Sequence, residues 1–336
     1  AKLLADNPSL AADSFSLPVV TSGLTHGLSV AADLFVEPGD TLLLPDMIWG
    51  NYRMTFGLRR GAVIKQYPFF KGEGLDLEAF EEALDEACGQ KKKVVVLLNF
   101  PNNPTGYTPT PEEANALVKA LVEAAEDGTN IVAITDDAYF GLFFDDHIKK
   151  DSIFSQLAGA HPRLMAVKAD AATKEVFVWG LRVGFLSFSI GGAKADSPLY
   201  KELVNKSGGC IRGVISNCSQ LSQKIVLDAL RSPDFEKQRA AKVEVMKARA
   251  MKVREVLAQP KFADAWTAYP FNSGYFMCIK LRKVNAEKLR VHLLEKHGVG
   301  TISISDTDLR IAFSSLEVGQ IQEVFDIILQ GVKELS

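Results

Sequence analysis

The chain has 336 residues, of which 47% are apolar and 24% are charged, and its formal net charge is −3. This size and composition are ordinary for a globular protein with one large or two medium-sized domains, and the small negative charge argues against a nucleic-acid partner. Since no apolar run approaches the ~18 residues that a membrane-spanning helix needs, we expect no membrane partner either.

The first two-thirds of the sequence alternates short apolar runs with amphipathic stretches. Several runs are continuously apolar, which is typical of strands that are buried on both faces of a parallel sheet. The predicted strands are Leu17–Thr21, Thr41–Leu44, Ala62–Tyr67, Lys93–Phe100, Asn130–Thr135, Arg163–Val167 and Val183–Ser189. The predicted helices between them are Thr25–Val36, Trp49–Arg59, Asp76–Cys88 and Pro111–Glu126. This alternation predicts an α/β fold with a mostly parallel sheet.

The pattern changes after about Ser216. The elements predicted there are a long helical region from Cys218 to about Leu257, a strand at Tyr275–Leu281, a helix at Ala286–His297, a strand pair across Thr301–Ala312 and a terminal helix from Glu317. The second part of the long region is rich in Lys, Arg, Glu and Ala, which is typical of a solvated linking helix. We therefore predict a large domain at 1–216, a linking helical region at 217–257 and a smaller C-terminal α+β domain at 258–336.

The cysteines and the start of the chain indicate a cytoplasmic protein. The cysteines are widely spaced, without the spacing of metal ligands, and stand at Cys88, Cys210, Cys218 and Cys278. They are interpreted as reduced thiols, and we predict no metal site. The opening segment also lacks the basic and then apolar plan of a signal peptide.

Chemistry is expected in the loops that follow the strands, because ligands of open α/β sheets bind beyond the carboxyl ends of strands. The loop Gly23-Leu24-Thr25 leads into a helix whose first N–H groups would suit a phosphate. Thr25 is more simply explained as the N-cap of that helix. Asn103 lies in the stiff turn 101–106 and either presents its amide to a ligand or only shapes the turn.

Two further loops carry charged residues. Asp136 and Tyr139 follow a buried strand, where a carboxylate needs a cation or hydrogen-bond donors, although one acidic residue could simply cap a helix. Lys174 and Arg182 follow the next strand. Taken alone, Lys174 is most simply a surface lysine, whereas Arg182 stands among small and apolar residues where a buried anion would explain it.

In their order and spacing, these motifs together resemble the class I/II aminotransferase family of the fold-type-I pyridoxal-phosphate enzymes. The resemblance covers essentially the whole chain from Ser16 and implies a three-layer α/β fold with pyridoxal phosphate as the cofactor. It implies that Lys174 holds the cofactor as a Schiff base and that Arg182, eight residues later, binds the cofactor phosphate. The segment Gly23-Leu24-Thr25 matches the phosphate-binding turn of the family.

The resemblance also assigns the remaining site residues. Asp136 would pair with the pyridinium nitrogen, and Tyr139 and Asn103 would bind the phenolic oxygen. Trp49 would stack on the cofactor ring, unless it is a core tryptophan. Arg310 would clamp the α-carboxylate of the substrate, with Asn103 nearby. The predicted catalytic residues are Lys174, Tyr139 and Asp136.

The implied reaction moves an amino group between an amino acid and a 2-oxo acid in a homodimer. Two alternatives remain open on the sequence. One is another reaction of the same cofactor, either β-elimination or decarboxylation. The other is the aminotransferase-like effector domain of a transcriptional regulator, which rests on analogy of fold alone.

Three departures from the family pattern affect what we expect. Ala171 stands where family members commonly have serine or glycine, so one phosphate donor is missing. The arm that the family carries before the segment matched by Ala1–Leu10 is not visible, so the chain is interpreted as a fragment, a truncated gene product or a natural short form without it. Lys224 falls near the position of the arginine with which aspartate-specific members bind a second carboxylate, but it is more simply a lysine on a helix surface.

Overall fold

The computed structural model describes all 336 residues, which pack into two compact units. Unit 1 consists of Ala1–Phe100, Pro109–Gly141 and His147–Phe235, and unit 2 consists of Pro101–Thr108, Leu142–Asp146 and Glu236–Ser336. These packing units are divided differently from the predicted regions 1–216, 217–257 and 258–336, which remain a prediction.

Unit 1 is built on a seven-stranded sheet in the order β1-β9-β8-β7-β6-β2-β3. Its strands, with the two-stranded ribbon β4–β5, are β1 (Val19–Thr21), β2 (Thr41–Pro45), β3 (Val63–Tyr67), β4 (Phe70–Lys71), β5 (Gly74–Leu75), β6 (Lys93–Asn99), β7 (Asn130–Asp136), β8 (Leu164–Ala171) and β9 (Gly184–Ile190). The five strands from β8 to β3 run parallel, and β9 is antiparallel to both of its neighbours. The predicted α/β class with a mostly parallel sheet is confirmed.

The middle strands are buried along nearly their whole length. In both β6 and β7 every residue after the first is buried. A strand covered on both faces has no polar face, which explains why these segments are continuously apolar in the sequence.

Eight helices belong to unit 1: α1 (Lys2–Asp6), α2 (Leu24–Phe35), α3 (Leu77–Gln90), α4 (Pro111–Glu126), α5 (Phe154–Leu157), α6 (Ala172–Glu175), α7 (Pro198–Ile215) and α8 (Gln220–Arg231). Helix α4 has the bounds that the sequence predicts, because its start signals are strong. The Thr110 hydroxyl accepts from the Glu113 N–H, the Glu113 carboxylate accepts from the Thr110 N–H, and Pro111 occupies the first helical position.

The helices of unit 1 differ from the prediction in two places. The segment Trp49–Arg59 contains a π-helix at Arg53–Leu58 rather than regular α-helix. Helix α7 was not predicted at all, since the sequence placed the start of the helical region at Cys218. Gly208, Gly209 and Gly213 lie inside this helix and lower its intrinsic propensity, so packing must stabilise it.

Unit 2 contains a four-stranded antiparallel sheet in the order β10-β11-β13-β12. Its elements are β10 (Trp266–Ala268), β11 (Met277–Leu281), β12 (Ile302–Ser303), β13 (Asp308–Ile311), α9 (Phe235–Leu257), α10 (Ala286–His297) and α11 (Ile321–Leu335). Helix α10 has its predicted bounds, whereas the three-residue strand β10 was missed. The predicted helical region from Cys218 to Leu257 is broken between α8 and α9 at Ser232-Pro233, where proline removes a backbone donor.

Membrane spanning is not supported by any helix of this structure, because none combines sufficient length with sufficient apolar character.

Candidate active site

Two of the predicted catalytic residues follow neighbouring parallel strands of unit 1. Strand β7 ends at Asp136, and β8 ends at Ala171, directly before the short helix α6 that carries Lys174. The strand register pairs Asp136 with Ala169, close to the end of β8. The ends of β7 and β8 therefore lie together at the carboxyl edge of the sheet. The predicted strand Arg163–Val167 was too short, because the polar residues Lys168 and Asp170 continue the strand rather than end it.

Asp136 is the buried anion of this sheet edge. Its Oδ2 accepts a 2.6 Å hydrogen bond from the Tyr52 hydroxyl, and its Oδ1 accepts a 3.0 Å bond from the Ala138 N–H. Burial raises the pKa of Asp136 to about 6, although both hydrogen bonds and the charge of Lys174 act in the opposite direction. Because burial still outweighs these partners, a further cation nearby would stabilise the carboxylate form.

Tyr52 is a site residue that no sequence motif indicated. Its ring is fully buried and meets the ring of Trp49 edge-on, with 5.6 Å between the ring centroids. Burial and the charge of Asp136 hold the pKa of Tyr52 well above its ordinary value, so the hydroxyl remains a neutral donor. Trp49 and Tyr52 stand three residues apart, which is the spacing of one helix face, and that periodicity could have located Tyr52.

Lys174 lies against a buried aromatic ring. Its Nζ is 4.9 Å from the centroid of the Tyr139 ring, and Tyr139 itself is 4% exposed. Burial lowers the pKa of Lys174 and the charge of Arg182 lowers it further, while Asp136 opposes them. The structure therefore does not support a plain surface lysine here, and a larger fraction of this side chain is neutral amine than in an exposed lysine.

Arg182 and Gly23 meet at the start of α2. A Cβ on Gly23 would lie only 2.4 Å from Arg182 Nη2, so only glycine leaves room for the guanidinium. Both residues adopt left-handed backbone angles, with φ of +78° for Gly23 and +51° for Arg182. A cation placed beside the unpaired N–H groups of a helix start is an arrangement that suits an anion such as a phosphate.

The interpretation of Thr25 as an N-cap is wrong. Helix α2 begins at Leu24 and its N-cap is Gly23, so Thr25 is the second residue of the helix, two positions beyond the N-cap. Leu24 is buried, and Thr25 is partly exposed beside it. The segment 23–25 is thus part of the helix start rather than a loop leading to it.

Asp137 has surroundings distinct from those of Asp136, although the two are adjacent in sequence. Its Oδ2 accepts from the Lys168 ammonium at 2.7 Å and from the Ser152 hydroxyl at 2.6 Å. Lys168 is 2% exposed and also pairs with Asp170 at 2.8 Å. Since a buried charge is tolerated when it is paired and hydrogen-bonded, we interpret Asp137 as part of the structural core.

The remaining two predicted site residues, Asn103 and Arg310, bind one another in unit 2. Arg310 stands on β13, and its Nη1 donates a 2.8 Å hydrogen bond to Asn103 Oδ1. The guanidinium lies 4.1 Å from the centroid of the Phe276 ring. The turn that carries Asn103 is pressed against the chain at Phe276, because a Cβ on Gly106 would lie 2.1 Å from the Phe276 carbonyl oxygen.

Lys224 forms an ion pair with Asp228 one turn later on α8, and both side chains are more than half exposed. This placement agrees with the simpler interpretation of Lys224 as a lysine on a helix surface.

The charges of unit 1 fit a ligand that has an anionic group at one end and a basic nitrogen at the other. Gly23 and Arg182 supply the surroundings for an anion, and buried Asp136 lacks full compensation of its charge. Lys174 is within electrostatic reach of both Arg182 and Asp136. Pyridoxal phosphate has this distribution of groups and needs an amine between them.

Known proteins resemble this chain in sequence. The family described as aminotransferase class I and II matches residues 1–328. The cytoplasmic aspartate aminotransferase of Saccharomyces cerevisiae is 26% identical over 241 residues, which cover 69% of this chain and 55% of the yeast protein. The chain spans about half the length of the first curated relatives that it matches.

Solved structures share the fold. An aminotransferase from Anaerococcus prevotii has a TM-score of 0.84 at 24% identity, covering 99% of this chain and 79% of its own. The kynurenine aminotransferase of Pyrococcus horikoshii, solved in complex with PMP, has a TM-score of 0.81 at 19% identity and covers 99% of this chain and 78% of its own.

Proposed function

The chain belongs to the family of class I and II aminotransferases, and on that premise we propose that it is a pyridoxal-phosphate-dependent aminotransferase. It would transfer an amino group from an amino acid to a 2-oxo acid. The observation that carries the proposal is the half-buried Lys174, whose amine lies over Tyr139 within reach of the charges of Asp136 and Arg182.

Lys174 would hold the cofactor and carry the proton of the transfer. When bound, pyridoxal phosphate supplies an electron sink for the bond that breaks at the substrate α-carbon. The lowered pKa of Lys174 suits this role, because a base must be unprotonated for part of the cycle. Tyr139, directly beneath the amine, would donate a hydrogen bond near the same point.

Asp136 would hold a proton on the ring nitrogen by charge pairing. The hydrogen bond from the Tyr52 hydroxyl fixes the orientation of the carboxylate. We assign Tyr52 a positioning role, since it acts through Asp136. Trp49, edge-on to Tyr52, would contribute an apolar wall to the ring site.

Arg182, with the N–H groups of Leu24 and Thr25, would bind the cofactor phosphate, whereas the Gly23 N–H donates to the Thr21 carbonyl. Ala171 has no hydroxyl that could donate to the phosphate. Phosphate binding therefore depends more heavily on Arg182 and on the N–H groups of the helix start.

A substitution of Gly23 should weaken cofactor binding specifically. In Gly23→Ala the new methyl would displace the Arg182 guanidinium, because the two atoms would be 2.4 Å apart. We expect the dissociation constant for pyridoxal phosphate, measured by fluorescence titration, to rise by about tenfold or more, as for loss of a charge-assisted hydrogen bond.

Gly39→Ala is the matched control, since Gly39 has a similar φ of +86° but open space around its Cβ position. Both variants carry a backbone strain of roughly 1–3 kcal/mol, yet only Gly23→Ala should lose cofactor affinity. Equal affinities in the two variants would contradict the assignment.

Arg310 and Asn103 would bind the α-carboxylate of the substrate. The guanidinium lies over Phe276 and donates to Asn103, and its planar fork of donors matches the two oxygens of a carboxylate. In Arg310→Lys, the two-point grip is lost, so we expect KM for the amino acid to rise roughly 10- to 100-fold. Arg282→Lys, an exposed arginine of the same unit, should leave KM unchanged; a similar rise in both variants would refute the assignment.

We further propose a cytoplasmic homodimer. Large apolar side chains of unit 1 are strongly exposed, among them Leu58 at 84%, Leu221 at 72% and Trp179 at 62%. Exposed apolar side chains mark association surfaces where they lie together. Light scattering should give twice the mass of one chain, and a monomer at micromolar concentration would refute the proposal. The free cysteines agree with a reducing compartment, which cell fractionation would test.

An amino-donor screen tests the proposed reaction. Purified protein with added pyridoxal phosphate should show a visible absorbance band that changes when the right amino acid is added. A keto acid should then appear without ammonia. Release of ammonia or carbon dioxide instead would indicate elimination or decarboxylation, and no response to any amino acid would favour a non-catalytic effector domain.

A further inference from the structure

Two histidines and one glutamate converge on the packed helices α10 and α11 of unit 2. His292 Nε2 lies 2.5 Å and His297 Nε2 lies 3.0 Å from the same carboxylate oxygen, Glu334 Oε2. The three potential ligand atoms lie within 4.8 Å of one another. None of these three residues has a role in the proposed reaction.

The helix packing fixes this convergence. A Cβ on Gly331 would lie 2.9 Å from a methyl carbon of Leu293 and 3.0 Å from one of Leu289, so glycine allows α11 to approach α10 closely there. Glu334 follows Gly331 by about one turn, and His292 directly precedes the buried Leu293. The close approach of the two helices therefore brings the glutamate to the histidines.

The neighbouring groups orient the ligands. Gln330, four residues before Glu334, donates a 2.8 Å hydrogen bond to Glu334 Oε1, which leaves Oε2 for the histidines. His297 ends α10, where Gly298 in a left-handed conformation turns the chain. The two imidazole rings meet edge to face, with 5.6 Å between their centroids and 65° between their planes.

We infer that His292, His297 and Glu334 bind one divalent transition-metal ion of the zinc type. Two imidazoles and a carboxylate are ligands that suit zinc, copper or nickel rather than magnesium or calcium. Tetrahedral zinc with bonds of about 2.0–2.2 Å holds its ligand atoms about 3.4 Å apart, so each observed N···O separation needs to open by less than 1 Å.

The fourth position would be water, since the cluster opens to solvent. The side chain of Glu334 is 36% exposed, and those of His292 and His297 are 21% and 16% exposed. A bound ion would join the last turn of α11 to the end of α10. Because the ligands must be unprotonated, the metal would replace the hydrogen bonds that now join them.

Zinc binding to the tag-free full chain tests this inference. Isothermal titration with Zn²⁺, with zinc content after dialysis as a second measurement, should give one high-affinity ion per chain. His292→Ala, His297→Ala and Glu334→Gln should each weaken it by more than tenfold, since even loss of an outer partner costs ~10- to 100-fold. Gln330→Ala should weaken it less than these three.

His147→Ala is the matched control, because His147 is an exposed histidine of unit 1, and it should bind zinc as the wild type does. Co²⁺ titration should give the spectrum of nitrogen and oxygen ligands, without the charge-transfer band of a cysteine thiolate. Circular dichroism checks that each variant is folded. Zinc affinity that is equal in all variants, or a thiolate spectrum, would overturn the inference. The three side chains would then form hydrogen bonds with one another and no metal site. This result would not depend on the aminotransferase activity.

Discussion

Lys174→Ala should abolish transamination while leaving the protein folded. The variant removes both the amine that holds the cofactor and the group that moves the proton, and general acid–base transfer alone contributes ~100- to 10,000-fold. We expect kcat to fall by at least that factor in an assay of keto-acid formation. The lysine side chain is only partly buried and its amine lies over the Tyr139 ring. Its removal should therefore change the free energy of unfolding little.

Lys201→Ala, an exposed lysine on α7, is the control and should keep full activity. Pyridoxal phosphate should still bind to the Lys174 variant through Arg182, but without a covalent link. If Lys174→Ala retained more than a tenth of the activity, another residue would have to carry the proton, and the proposed mechanism would be wrong.

Asp136→Asn should cause the second large loss of activity. The substitution keeps the size of the side chain but removes the buried negative charge, and breaking one partner of a buried ion pair costs about 3–5 kcal/mol. We therefore expect kcat/KM to fall roughly 100- to 5,000-fold in the same assay, since 1.4 kcal/mol is a factor of ten. Tyr52→Phe, which removes only one hydrogen bond to the carboxylate, should cost roughly 10- to 100-fold.

The pH dependence of cofactor affinity gives a second readout for Asp136. The pKa of Asp136 in the protein is raised to about 6, so the carboxylate that pairs with a ring cation is lost as pH falls through about 6. The affinity advantage of the wild type over Asp136→Asn should therefore shrink between pH 7 and pH 5. The cofactor phosphate titrates equally in both proteins and cancels in the ratio. A ratio that stayed constant over this range would contradict the charge pairing.

The sheet was predictable because its strands are buried on both faces. A segment such as Lys93–Asn99 has no polar face, and its apolar run ends where the sheet ends, at the loops that carry the site. Helix α7 was missed because its internal glycines contradict helical propensity, although Ser197 caps its start and Pro198 occupies its first position.

The candidate site was only partly predictable. The order of Asp136, Tyr139, Lys174 and Arg182 along the chain identified their family, but contacts between distant residues leave no local pattern. Tyr52 reaches Asp136 across 84 residues of sequence. In unit 2, Arg310 and Asn103 are 207 residues apart, and nothing near either residue indicates the other.

Covalent attachment of the cofactor to Lys174 can be tested by chemical trapping. The protein would be saturated with pyridoxal phosphate, reduced with borohydride and digested with trypsin, which does not cut after a modified lysine. We expect one phosphopyridoxyl group per chain, on the peptide Ala169–Arg182 with Lys174 uncut. A group on a different lysine of an active protein, with Lys174 unmodified, would contradict it.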